Sequence, residues 1–94
     1  MTDAQRLARV FRALSVPTRV RLVRLLKEHE LCVNALAARL EVTPAAVSQH
    51  LRVLRDADLV TGDKRGYYVH YRVNPKTLAA WKALADKLLG PEAE

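Results

Sequence analysis

Thr43-Pro44-Ala45-Ala46-Val47-Ser48-Gln49-His50-Leu51-Arg52-Val53-Leu54 carries two patterns at once, and their overlap decides the fold. Val47, Leu51 and Leu54 recur at i, i+4 and i+7, the spacing of one face of an α-helix. Ala45, Ser48, Gln49 and Arg52 recur at i, i+3, i+4 and i+7 on the opposite side. The first set is hydrocarbon and predicts burial. The second is small, polar and basic, and suits a helix lying against something polar. Thr43 is a natural N-cap, because its hydroxyl oxygen can accept from a free amide of the first turn. Pro44 then fits the first helical position, where a missing N–H costs nothing. A polar outer face alone is also what any solvated helix presents, so its neighbours decide what it is for.

Upstream, Leu31 to Leu40 reads as a short helix with Leu36, Ala37 and Leu40 on one face, and its alanines let another helix approach closely. Glu41-Val42-Thr43 breaks the pattern between the two. Such turns favour glycine, so a left-handed Glu41 would cost roughly 1 kcal/mol. Further back, Pro17 opens a helix whose stripe is Leu22, Val23, Leu25 and Leu26, with Arg21, Arg24 and Lys27 pointing elsewhere; Val20 fits no stripe. Before it, Leu7, Val10, Phe11 and Leu14 fall on one helical face, which Ser15-Val16-Pro17 ends.

Downstream, the period changes from 3.6 to 2. Leu59-Val60-Thr61 reads as a strand, and Gly62-Asp63-Lys64-Arg65-Gly66 as a polar turn bracketed by glycines. Tyr67, Val69, Tyr71 and Val73 then alternate with Tyr68, His70 and Arg72, giving a β-hairpin with a basic tip. Asn74-Pro75 starts a last helix carrying Leu78, Trp81, Ala85 and Leu88, and Gly90-Pro91 stops it. The predicted order is four helices, two strands and a helix, mainly α with a β-hairpin wing.

Two short helices joined by a tight turn, then a hairpin, are the parts of a winged helix-turn-helix, and the chemistry fits double-stranded DNA. The major groove admits one α-helix, and base edges there present distinguishable donors and acceptors. Ala45 permits close approach and can touch a thymine methyl. Ser48 can donate and accept, Gln49 can pair with an adenine edge, and Arg52 suits guanine or a phosphate. Thr43 and the free amides beside it favour a phosphate. Lys64 and Arg65 at the hairpin tip can reach the flanking backbone or minor groove.

Composition agrees and excludes much else. Ninety-four residues make one domain, 1–94. Sixteen Lys and Arg against ten Asp and Glu leave a net charge of +6, which favours a polyanionic partner. The single cysteine, Cys32, cannot close an intrachain disulfide. The first residues lack the apolar core of a signal peptide, and no apolar run approaches the roughly 18 residues of a membrane span. The expectation is a reducing cytoplasm, no membrane and no cofactor. There is no nucleophile–base pair, phosphate-cradling glycine loop or paired carboxylate to suggest an enzyme.

Several motifs resemble the ArsR/SmtB-type repressors over roughly residues 7–75. Phe11-Arg12-Ala13-Leu14-Ser15-Val16-Pro17-Thr18-Arg19 resembles that family's opening F-x-A-L-S-x-P-T-R. Glu30-Leu31-Cys32-Val33 resembles its E-L-C-V segment, and Val47-Ser48-Gln49-His50-Leu51-Arg52-Val53-Leu54 its recognition helix. Leu59-Val60, Gly66 and Tyr71-Arg72-Val73 match its wing. The resemblance implies a homodimer on a pseudo-palindromic operator, released when an effector binds. Dimerisation would use the first and last helices, residues 1–15 and 75–89. The residues expected there are Leu7, Val10, Phe11, Leu14, Leu78, Trp81, Ala85 and Leu88, whose stripes offer more apolar surface than one small domain needs. The alternative is that both helices merely close the protomer's own core.

The usual metal sites of that family are not expected here. The arsenic-type site needs two thiolates, and this chain has Cys32-Val33-Asn34. The site on the terminal helix needs histidines, and residues 75–89 hold Asp86 but none. His29 and Cys32 are a fragment of a site at most, His50 falls on the inward side of its helix, and His70 carries no assigned chemistry. What remains open is an unknown small-molecule effector, a thiol- or metal-responsive role for Cys32, or use of the scaffold as a protein-interaction module.

Overall fold

The computed structural model describes residues 1–91, so the last three residues of the expected domain 1–94 lie outside it. Its elements run α1 (Asp3–Ala13), α2 (Pro17–Glu28), β1 (Leu31–Cys32), α3 (Val33–Leu40), α4 (Pro44–Asp56), β2 (Val60–Arg65), β3 (Tyr68–Val73) and α5 (Pro75–Leu89). This is the mainly helical, winged arrangement read from the sequence. None of these helices is long and apolar enough to cross a membrane.

Three helices make the core. Leu22 and Leu26 of α2, Leu36 and Leu40 of α3, and Val47, Leu51 and Leu54 of α4 are buried together with Leu59 and Val60 at the start of the hairpin. Leu25, Tyr71, Val73, Leu78 and Trp81 pack partly against them. Helix termini are closed locally. Thr2 and Gln5 form a reciprocal capping box, with Gln5 N–H donating to Thr2 Oγ1 at 3.1 Å and Thr2 N–H to Gln5 Oε1 at 2.9 Å. Arg19, from α2, donates to the carbonyls of Ala13 at 2.6 Å and Arg12 at 3.2 Å, satisfying the end of α1.

Both joints around α4's bundle end use a left-handed acidic residue. Glu41 has φ 56°, and the following Val42 N–H reaches back to Ala37 O at 3.2 Å. Asp58 has φ 63°, with its own N–H on Arg55 O at 2.9 Å and Leu59 N–H on Leu54 O at 3.0 Å, the Schellman pattern of a helix end. The turn at Glu41 is therefore the left-handed one for which the sequence lacks a glycine. That at Asp58 carried no signal in the periodicity.

The sheet differs from the expected hairpin in two ways. It has three antiparallel strands in the order β1-β3-β2, because Leu31 pairs with Tyr71 and Cys32 with His70. The third helix accordingly begins at Val33 rather than Leu31. The turn also lies further along. Gly62 to Arg65 belong to β2, paired with Tyr71 to Tyr68, and only Gly66-Tyr67 connect the strands. Tyr67 is thus a turn residue and not the start of the return strand. Gly62 is no turn glycine: a Cβ on it would stand 2.9 Å from Val69 Cγ1, so the side chains of β3 need its bareness.

Candidate nucleic-acid interface

The amphipathic reading of α4 converts directly into geometry. Val47, Leu51 and Leu54 are 0–2% exposed, while Ala45, Ser48, Gln49 and Arg52 on the other side are all exposed. Thr43 Oγ1 accepts from Ala46 N–H at 3.1 Å, capping the helix as its sequence predicts and leaving its own hydroxyl proton to donate elsewhere. Four side chains of mixed donor and acceptor character thus project from one rigid helix whose other face is anchored in the core.

That face continues onto the sheet. Ser48 and Arg52 share a small hollow with Arg55 and Tyr71, of about 160 Å³. Arg55 lies three residues beyond Arg52, on the same exposed side, and the spacing that picked out Arg52 extends to it. The expected face, Ala45 to Arg52, ends one turn short of it. Tyr71 could not be found that way, since only the fold brings β3 against α4.

Strand register separates the two basic residues expected at the wing tip. Lys64 pairs with Val69 and Gly62 with Tyr71, so Lys64 lies on the sheet face that carries Tyr71 towards α4. Arg65 pairs with Tyr68 and lies on the opposite face, where its guanidinium meets the Glu30 carboxylate at 2.6 Å. Arg72, on that same face, meets Asp63 at 3.3 Å. Both pairs are about half exposed. Lys64 makes no ion pair among the described residues.

At the other end, α1 and α5 frame an apolar groove of about 420 Å³ floored by Leu7, Phe11, Leu84 and Leu88, with Lys87 and Asp3 bridging the two helices at 3.1 Å. Phe11 and Leu88 are 43% and 61% exposed. The eight residues expected at a dimer interface divide here. Val10 is buried inside the protomer and is not available to a partner, a correction that follows from α1 turning this residue inward. Leu14, Leu78 and Trp81 pack partly on the protomer's own core. Leu7 and Ala85 are half-buried, and Leu84, absent from the expected set, joins the groove.

Cys32 is half-buried and stands directly across from His70, whose Nδ1 is buried without a hydrogen-bond partner. His29 is exposed after α2 and His50 half-buried on α4. Among the described residues, no three His, Cys, Asp or Glu side chains of the protomer are grouped to hold a metal ion.

A family model described as "Bacterial regulatory protein, arsR family" matches residues 16–61, which run from α2 into β2. The chain is 38% identical over 89 residues to a transcriptional repressor SmtB homolog from Synechocystis sp., covering 94% of this chain and 67% of that one. It spans 52% to 67% of the length of several curated repressors that it matches. A crystal structure of a possible transcriptional regulator for arsenical resistance shares its fold with a TM-score of 0.76 at 47% identity, covering 82% of this chain and 80% of that one. A homodimeric winged helix-turn-helix DNA-binding domain from Mycobacterium bovis shares the fold alone, with a TM-score of 0.74 at 24% identity over 97% of this chain and 88% of that one.

Proposed function

The chain belongs to the arsR family of bacterial regulatory proteins, and from that premise we propose that it is a transcriptional repressor that binds a palindromic DNA operator as a homodimer. The observation that carries this reading is the division of α4: hydrocarbon locked into the core, and Ala45, Ser48, Gln49 and Arg52 free on the surface. Gln49 is the adenine reader. Arg52 takes guanine or a phosphate. Thr43, Arg55 and Lys64 hold the backbone, and Arg65 adds charge while tethered to Glu30. The relatives named as repressors, and the net charge of +6, support the same partner.

Dimerisation through the α1–α5 groove gives the two α4 helices a fixed separation. A two-fold dimer then matches half-sites about 34 Å apart, or a multiple of that. Release is assigned to a small molecule or to chemistry at Cys32 rather than to metal at the family's usual sites. Asn34 stands where a second thiolate is needed, and residues 75–89 contain no histidine.

Selection of bound duplexes from a random DNA pool, followed by titration at several salt concentrations, tests the proposal. A recurring inverted repeat bound with steep salt dependence supports it. Enrichment of no sequence, with equal binding to random DNA, defeats it.

A further inference from the structure

A hollow of about 320 Å³ opens on the side of α1 turned away from the apolar groove. Leu7, Ala8 and Phe11 border the groove, whereas Arg6, Arg9 and Val10 border the hollow, so the helix stands between the two. Its opposite wall is the end of α4, Asp56-Ala57-Asp58. Trp81 of α5, half-buried, lies between these walls with the buried Val10. The volume is at the lower end of the roughly 300–1,000 Å³ typical of small-molecule sites. A second copy seated in the groove covers the other side of α1.

The charges around this hollow are sorted by wall: cations come from α1, anions from the end of α4. One of each is already engaged. Arg6 meets Asp3 of its own helix at 3.6 Å, and Asp58 accepts from the Thr77 hydroxyl at 3.4 Å. The other two are free. Arg9 and Asp56 make no ion pair and no side-chain hydrogen bond among the described residues. A guanidinium and a carboxylate therefore border one hollow without meeting across it, and an indole lies between them. What completes such a space is a molecule with a carboxylate at one end of its polar part, an ammonium at the other, and an apolar body. The carboxylate takes the Arg9 fork, the ammonium takes Asp56, and the apolar body covers Trp81.

We propose that the hollow between α1, α5 and the end of α4 binds a free apolar α-amino acid, and that its occupancy releases the protein from DNA. The second half rests on the repressor reading above; the first does not. The walls belong to parts with different tasks, α1 and α5 to assembly and α4 to the duplex. A ligand that ties Arg9 to Asp56 draws α1 and the end of α4 together, and so changes the angle at which α4 leaves the helices of the dimer. An inverted repeat accepts one spacing of the two α4 helices, so the occupied form loses affinity. A ligand shifts such an equilibrium only as far as it prefers one arrangement, and a two-ended bridge supplies that preference.

Trp81 is the only tryptophan of the chain, so its fluorescence reads the hollow directly. The full chain is titrated with L-phenylalanine and L-leucine, then with 3-phenylpropionate, which lacks the ammonium, and phenethylamine, which lacks the carboxylate. Both amino acids give a saturable change, and each one-ended probe binds about tenfold more weakly than phenylalanine or worse. Arg9→Gln lowers phenylalanine to the level of phenethylamine, and Asp56→Asn lowers it to that of 3-phenylpropionate. Both variants melt as the wild type does, since neither side chain has a partner in the protomer. Saturating phenylalanine releases the wild type, and not Asp56→Asn, from a duplex recovered by selection. No saturable change with either amino acid at millimolar concentration overturns the site, as does equal binding of the amino acids and the one-ended probes. Binding that leaves duplex affinity unchanged overturns the regulatory half. A wild type that binds phenylalanine but no selected duplex removes the repressor reading and leaves the site standing.

Discussion

Tyr71 lies across from Gly62 with its ring against the glycine, so that a Cβ there would stand 3.0 Å from Tyr71 Cε1 and 2.9 Å from Val69 Cγ1. Backbone freedom is not the reason for this glycine; space is. Gly62→Ala must push the ring or the strand aside, and overpacking of this kind costs about 1–3 kcal/mol. For a domain of this size each kcal/mol lowers the melting temperature by about 4–8 °C. Thermal unfolding followed by circular dichroism reads this directly. Because Tyr71 also borders the hollow beside Ser48 and Arg52, DNA affinity should fall in the same variant. A melting temperature equal to wild type would mean that the ring moves away without cost.

Glu41 offers the opposite experiment. Its φ of 56° places a Cβ-bearing residue in the left-handed region at the turn between α3 and α4. Strain there is about 1–2 kcal/mol, and glycine removes it while adding freedom to the unfolded chain. Glu41→Gly should therefore stabilise the domain by a net of roughly 0.5–1 kcal/mol. Glu41 is exposed, so no packing is lost to confuse the result. A chemical denaturation midpoint at or below the wild type's would count against strain at this turn.

The helices were legible because each buries one stripe, and a stripe repeats locally. Val47, Leu51 and Leu54 announce α4 within eight residues, and Thr43-Pro44 and Asn74-Pro75 mark their helix starts by side-chain chemistry alone. The Thr2–Gln5 capping box comes from the structure and was not among the expectations, although a threonine followed three residues later by glutamine carries that signal. Strand β1 was not. Leu31 and Cys32 become a strand only by pairing with Tyr71 and His70, some forty residues on, and two residues carry no period. Gly62 misled for a related reason. Glycine marks a turn or a close approach, and only the register with Tyr71 distinguishes them. The site followed suit: α4's own face was visible, whereas Tyr71, and the separation of Lys64 from Arg65 by sheet face, depend on pairing.

Base reading and backbone holding separate in titrations on selected and random duplexes. Gln49→Ala should cost about 1–3 kcal/mol on the selected site and much less on random DNA. Lys64→Ala should weaken both alike and reduce the salt slope by about 1. Arg65→Ala should have a smaller effect than Lys64→Ala, because its guanidinium is held by Glu30 at 2.6 Å on the other sheet face. Equal losses for Gln49→Ala on both duplexes would remove it as a base reader. A larger effect of Arg65→Ala would mean that the Glu30 pair opens when DNA binds.

The α1–α5 groove makes the sharpest claim about assembly. Phe11 and Leu88 are apolar, substantially exposed and close neighbours across two helices, yet neither contributes to the protomer's core. A charge placed there leaves the folded protomer almost untouched, whereas buried in a two-fold contact it meets its own copy and must be desolvated. Leu88→Glu and Phe11→Glu should therefore yield folded monomers of 10.6 kDa by analytical ultracentrifugation, where the wild type sediments at twice that mass. Val10→Glu should instead unfold the protomer, because Val10 is only 4% exposed within it. The monomeric variants should also lose most of their affinity for a full inverted repeat while keeping weak binding to a half-site, since only the dimer can place two α4 helices on one duplex. A wild type that sediments as a monomer at micromolar concentration would leave the groove without the partner assigned to it.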